Sequence, residues 1–171
     1  KSGISCLHFS CAVEDDQPHR TYKDIKKIIL DSLLESNIQE LAIDIFRNLA
    51  KAEGKIHDKD YHDVHFHEVG AVDSIIDIVG AAILIDQLDI KEVICSTIPL
   101  GSGFITCAHG KLPVPVPAVI ELLKGIPTYQ TDIEDEIVTP TGAAIIKTLC
   151  AKFQRQPLMR IEKIGCGAGA K

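Results

Sequence analysis

The run Ala71 to Leu88 constrains the fold more than any other stretch. Val72, Ile75, Ile76, Ile78, Val79, Ile83, Leu84 and Ile85 surround most of its girth. A helix apolar all round is expected inside a core. Yet Asp73 and Asp77 lie four residues apart on one face, with Gly80 continuing the stripe. A carboxylate buried there needs a donor or a cation, because an unpaired buried charge is strongly disfavoured. Asp73, in the first turn, also suits the positive end of the helix dipole. A loop holding His62, Asp63, His65, His67 and Glu68 feeds directly into this helix. The fold must therefore set a ligand-dense connection beside a very apolar element.

With 171 residues, the chain has the size of a single domain. Aromatic residues make up only 5% and Trp is absent, so the core is built from Ile, Leu, Val and Ala. A formal charge of −6 argues against a nucleic-acid partner and against an anionic membrane surface. No apolar run reaches the ~18 residues of a membrane span. Residues 1–11 lack the apolar region and cleavage site of a signal peptide. None of the six cysteines forms a C-x-x-C pair, which disfavours a zinc knuckle or a thioredoxin-type site. They read as reduced, small, buried residues of a cytoplasmic protein. The chain starts on Lys and stops in a Gly/Ala run, as expected of a piece of a longer protein.

Alternation over Ile4 to Val13 predicts a strand. Thr21, with Asp24 three positions on, predicts a capped helix running to about Glu35. Ser36 or Asn37 opens a second helix, which Gly54 is expected to end. The very apolar helix follows the His-rich loop, and then Lys91 to Ile98 reads as a strand. The Gly-rich segment Pro99 to Gly110 contains a short strand at Phe104 to Cys107. The prolines of Lys111 to Val116 exclude a central strand there. Pro117 starts a short helix closed by Gly125. A strand at Pro127 to Thr131 and an acidic turn at Asp132 to Glu136 come next. The last helix opens at Thr139-Pro140-Thr141-Gly142 and runs over Ala143 to Phe153. A closing strand is expected over Leu158 to Ile164. The pattern predicts an α/β fold, with α+β as the alternative: a helix-rich single domain with a small mixed sheet packed by helices.

Four constellations carry chemistry. If Val64 to Val69 is extended, His65 and His67 project from one face and Phe66 from the other. With Glu68 beside them, they suit nickel, zinc or cobalt; a merely solvated polar loop is the competing reading. Asp73 and Asp77 either serve helix ends or line the pocket that His67 and Glu68 approach. Gly101-Ser102-Gly103, after a strand, is a tight turn or a backbone cradle for an anion. His109, close by, is a general acid/base, a metal ligand or a turn residue, and Cys107 a thiolate or core. Thr139 and Thr141, at a helix N-terminus, suit a phosphate.

HFHEVGAVDSIIDIVGA, PLGSGFITCAHGKLPVPVPAVIELLKGIP, TPTGAAIIK and, upstream, QPHRTYKDI resemble the nickel-insertion protein family of nickel-pincer cofactor synthesis (LarC) in order and in spacing. The resemblance implies insertion of Ni²⁺ into pyridinium-3,5-bisthiocarboxylic acid mononucleotide, which makes the cofactor of lactate racemase. It implies a nickel chelatase (a lyase) that needs CTP with Mg²⁺ or Mn²⁺. Full-length members begin with an Asp/Gly/Ser-rich stretch and end in a CTP-associated domain. Residues 1–171 then correspond to most of the first domain, expected to be inactive alone. The resemblance itself assigns no residue roles; the residue-level reading that fits it has His65, His67 and Glu68 hold the metal. Gly101, Ser102, Gly103, Thr139 and Thr141 hold the phosphate, and Asp73, Asp77 or His109 is the base. Expected partners are the mononucleotide and nickel-pincer enzymes such as lactate racemase; homo-oligomerisation stays open. A non-catalytic assembly scaffold and a metal-dependent hydrolase are the alternatives.

Overall fold

A computed structural model describes residues 3, 5–12, 20–66, 72–107 and 109–168. The elements run β1 (Arg20–Thr21), α1 (Tyr22–Leu30), α2 (Ser36–His57), β2 (His65–Phe66), α3 (Val72–Gln87), β3 (Val93–Cys95), β4 (Ile98–Leu100), β5 (Phe104–Cys107), β6 (Gly110–Pro113), α4 (Pro117–Leu122), β7 (Thr128–Gln130), α5 (Pro140–Leu149) and β8 (Cys150–Phe153). This is the expected helix-rich fold with small mixed ladders. The strands form two-stranded pairs: β1–β2 and β5–β6 are antiparallel, β3–β8 and β4–β7 parallel. Among the described residues no helix is long and apolar enough to cross a membrane.

Helix α2 is the hub, touching α1, α3, α4 and α5. Its side chains Ala42, Ile45, Phe46, Leu49 and Ala50 are fully buried and meet Ile25, Phe66, Ile78, Val119 and Ala144 in one apolar cluster. Ile45, Phe46, Leu49 and Ala52 recur at three- and four-residue spacing, so one stripe of the helix meets several neighbours. The expected end at Gly54 is corrected: α2 continues to His57, and Asp58 closes it in the left-handed conformation at φ 51°. Gly54 serves close packing. A Cβ there would lie 2.9 Å from the Lys59 carbonyl oxygen and 3.2 Å from Tyr61 Cα.

Helix α1 begins as expected. The Thr21 hydroxyl accepts the Asp24 N–H at 3.2 Å, and the Asp24 carboxylate accepts the Thr21 N–H at 2.8 Å. It ends earlier than expected, at Leu30, where the Ser32 hydroxyl donates to the Ile29 carbonyl at 2.6 Å and draws the chain into a turn.

Other expectations are corrected by longer-range pairing. Cys150 to Phe153 leave the last helix for a parallel ladder with β3. Lys91 to Ile98 is divided between two ladders. Residues 158–164 are exposed and form no strand. Of the predicted N-terminal strand, only the bridge Leu7–Gly167 is found among the described residues. All six cysteines are thiols, but none is fully buried, and Cys11 and Cys166 are exposed.

The largest correction concerns α3. Only Ile78 and Ala82 are fully buried, and Asp73 and Asp77 are exposed. The helix packs against α2 and α5. On another side it borders a groove of about 320 Å³ lined by Ile28, Leu34, Ile76, Val79, Gly80 and Ile83. Its apolar girth is therefore covered only in part, and water takes the place of the expected buried partners of the two aspartates.

Candidate functional site

A cavity of about 160 Å³ lies between α2, the β5–β6 hairpin and the starts of α4 and α5. The hairpin register explains its wall. Ile105 pairs with Leu112 and Cys107 with Gly110, and the strand alternates exposed Phe104 and Thr106 with half-buried Ile105 and Cys107. Side chains two apart share a face, so Ile105, Leu112 and Cys107 turn inward together. His109 sits at the hairpin tip, followed by Gly110 at φ 88°, a conformation that favours glycine. Glu53 and Ile56 enter from α2, Phe66 from β2, Glu136 from the acidic turn, and Pro140 from the first turn of α5.

The polar groups are connected. His57, the last residue of α2, stacks on His109 with ring centres 5.0 Å apart and planes 29° apart. Its Nε2 lies 3.5 Å from the Glu53 carboxylate, one helical turn back. Glu53, His57 and His109 thus form a row from the hub helix to the cavity mouth. The walls are mostly aliphatic, so imidazole, carboxylate and thiol line an otherwise apolar space. Among the described residues, however, no three His, Cys, Asp or Glu side chains converge closely enough to hold a metal ion.

Of the residues predicted from sequence, His109 lines the cavity, and Thr139 stands directly before Pro140 on its rim. The Thr139 hydroxyl accepts the Gly142 N–H at 3.2 Å, capping α5. Thr141 is half-buried in the first turn.

Gly101-Ser102-Gly103 is used differently. The Ser102 N–H and hydroxyl both donate to the Ile133 carbonyl, at 2.9 and 3.2 Å. A Cβ on the buried Gly101 would overlap the Asp135 carbonyl oxygen. Gly103, at φ 93°, accepts the Val114 N–H at 3.0 Å. This loop clamps the acidic turn, which in turn presents Glu136 to the cavity.

His65 is exposed and Phe66 buried, as extended backbone requires. Because Phe66 lines the cavity, His65 faces away from it. His67 and Glu68 lie outside the described residues, immediately after Phe66. Asp73 and Asp77 stand on the exposed side of α3, and the Asp73 carboxylate accepts the Ser74 N–H at 2.7 Å.

Glu53 and Glu136 were not singled out from the sequence. One lies on an ordinary amphipathic helix and the other in an acidic turn, so only their convergence marks them.

A family model described as "Nickel insertion protein" matches residues 1–171. A relative from Geotalea daltonii, named for nickel insertion, is 53% identical over 171 residues, all of this chain and 44% of its own length. The pyridinium-3,5-bisthiocarboxylic acid mononucleotide nickel insertion protein of Desulfitobacterium hafniense is 47% identical over 171 residues, covering 42% of that protein. The protein of the same name from Acetivibrio thermocellus is 52% identical over 154 residues, 89% of this chain and 38% of its own. The chain thus spans less than half the length of these relatives. No solved structure matches it. The family model covers every residue, and the chain belongs to the nickel insertion protein family.

Proposed function

We propose that this chain takes part in inserting Ni²⁺ into pyridinium-3,5-bisthiocarboxylic acid mononucleotide, and that the cavity behind His109 is where it does so. The observation that carries this reading is the gathering of His109, Cys107, Glu53 and Glu136 in one mostly apolar cavity. Imidazole and carboxylate suit a borderline divalent ion and release it to softer sulfur ligands. The aliphatic walls suit the pyridinium ring. The N-terminus of α5, with Thr139 and Thr141, favours the phosphate.

Forming a nickel–carbon bond breaks a ring C–H bond, and the proton must leave to a base. His109 is placed to accept it, backed by the His57 ring and the Glu53 carboxylate. This ranks His109 above Asp73 and Asp77, which face water. In this reading His65, exposed on the outer face, receives the ion, and His67 and Glu68, next in sequence, are further donors to it. CTP with Mg²⁺ or Mn²⁺ is assigned to the portion of the longer relatives that this chain does not match.

Nickel titration by calorimetry tests the reading. His109→Ala is expected to weaken Ni²⁺ binding about tenfold, and the pair His65→Ala/His67→Ala about a hundredfold, at about 1.4 kcal/mol per ligand lost. Wild-type affinity in both would remove the nickel role from this site. The lack of three converging ligands among the described residues favours a second reading, an assembly scaffold. It predicts no Ni²⁺ binding by the wild-type chain.

A further inference from the structure

The starts of α4 and α5 border the cavity just described; their ends border another. This second cavity, of about 170 Å³, is lined by Asn48, Lys51, Glu121, Leu122, Lys124 and Lys147. Lys55, one turn beyond Lys51 on α2, reaches the same place: its Nζ lies 2.9 Å from one Glu121 oxygen, while Lys124 Nζ lies 2.5 Å from the other. The two ammonium groups therefore converge on a single carboxylate. The Glu121 carboxyl is held below the usual range by Lys124 and then Lys55. Lys147 Nζ donates to the Leu122 carbonyl at 2.7 Å, at the end of α4. Lys51 Nζ stands 5.8 Å from the Tyr61 ring centre, and one Asn48 amide N–H is used on the Thr148 hydroxyl at 2.9 Å.

Helix C-termini attract lysines, and that accounts for part of this cluster. It does not balance it. Four ammonium groups face one carboxylate and two helix ends worth about half a negative charge each, which leaves roughly two positive charges over. This surplus stands in a chain whose formal charge is −6, so it opposes the overall field. It also stands around a concavity and not along a flat stripe, which suits a compact anion better than a polymer backbone.

We propose that this cavity binds the phosphoryl groups of a small molecule, a diphosphate in preference to a monophosphate. Lys51, Lys124 and Lys147 donate to the phosphoryl oxygens, and Glu121 positions Lys55 and Lys124 around them. The inference is independent of the nickel reading, since it concerns the other ends of α4 and α5.

The test is calorimetric titration of the 171-residue chain with pyrophosphate at fixed ionic strength. A parallel arm with a nucleoside diphosphate shows whether a free or a nucleoside-linked source fits better. The expected result is saturable binding that weakens at least about tenfold in Lys51→Gln/Lys124→Gln, because charge-assisted hydrogen bonds are lost. Lys26→Gln, a surface change on α1, is expected to leave binding unchanged. The double variant spares Lys147, which also holds the end of α4, so loss of folding does not confuse the result. Absence of saturable binding to the wild type, or equal weakening by Lys26→Gln, overturns the proposal.

Discussion

Replacing Gly101 by alanine separates two roles for the Gly101-Ser102-Gly103 loop. As a packing element, the loop needs Gly101 bare. An added Cβ would overlap the Asp135 carbonyl oxygen and lie 3.1 Å from that carbonyl carbon and 3.3 Å from the Ile133 oxygen. All three are backbone atoms, so the whole acidic turn must move. The two Ser102 bonds to the Ile133 carbonyl are then strained or lost, at about 1 kcal/mol each. Overpacking adds about 1–3 kcal/mol. The sum is about 4 kcal/mol, or a fall in Tm of roughly 8–16 °C for a chain of this size. Differential scanning calorimetry measures it. Ser102→Ala, which removes only the hydroxyl bond, is expected to cost about 1 kcal/mol. Because Glu136 follows Asp135, Gly101→Ala is also expected to weaken any ligand held in the His109 cavity. A Gly101→Ala protein with Tm within about 2 °C of wild type would refute the reasoning. If that stable protein had lost binding of the mononucleotide, the loop would be an anion cradle instead.

Two further outcomes follow from local chemistry. Thr21→Ala is expected to cost about 1 kcal/mol through loss of the α1 cap, read as a shift in urea midpoint. The Asp24 carboxyl is held below its usual range by the Thr21 N–H and then the Thr21 hydroxyl. Its contribution is therefore complete above the unfolded-state value, near pH ~3.9, and is lost as pH falls through the depressed folded value. The gap between wild type and variant should narrow in acid, because the Thr21 hydroxyl also donates to the Asp24 carboxylate at 2.7 Å, and a constant gap would show that this bond contributes nothing. Burial, with Cys95 alongside, pushes the Cys150 thiol up to about 11. Iodoacetamide near neutral pH should therefore alkylate the exposed Cys11 and Cys166 well before Cys150, because the thiolate is the nucleophile. Peptide mapping that found Cys150 labelled as fast as Cys11 would contradict this.

Much of the helical framework was legible in the residues, because its signals are local. The Thr21–Asp24 box, the Thr139-Pro140 start and the three-to-four spacing of Ile45, Phe46, Leu49 and Ala52 act within one or two turns of backbone. Of the hairpin carrying His109, the strand Phe104 to Cys107 could be read, but its partner Gly110 to Pro113 was hidden by prolines, which a two-stranded edge tolerates. The sequence misled where distant segments compete. Cys150 to Phe153 continue an apolar helical pattern, yet they extend because β3 offers a ladder. Gly54 looks like a helix end, yet it is kept bare for the returning chain at Lys59 and Tyr61.

The amino-acid order by itself therefore determined which segments coil, where they are capped, and that His, Asp and Glu crowd around the entry to α3. Only the tertiary structure decided which of these groups meet. It set Asp73 and Asp77 facing water, turned His65 away from the cavity, and brought Glu53, Cys107, His109 and Glu136 together from three parts of the chain. Periodicity reports how apolar a helix face is, but not which neighbour covers it. That depends on how α2 packs against all the other helices at once, and no local pattern encodes it.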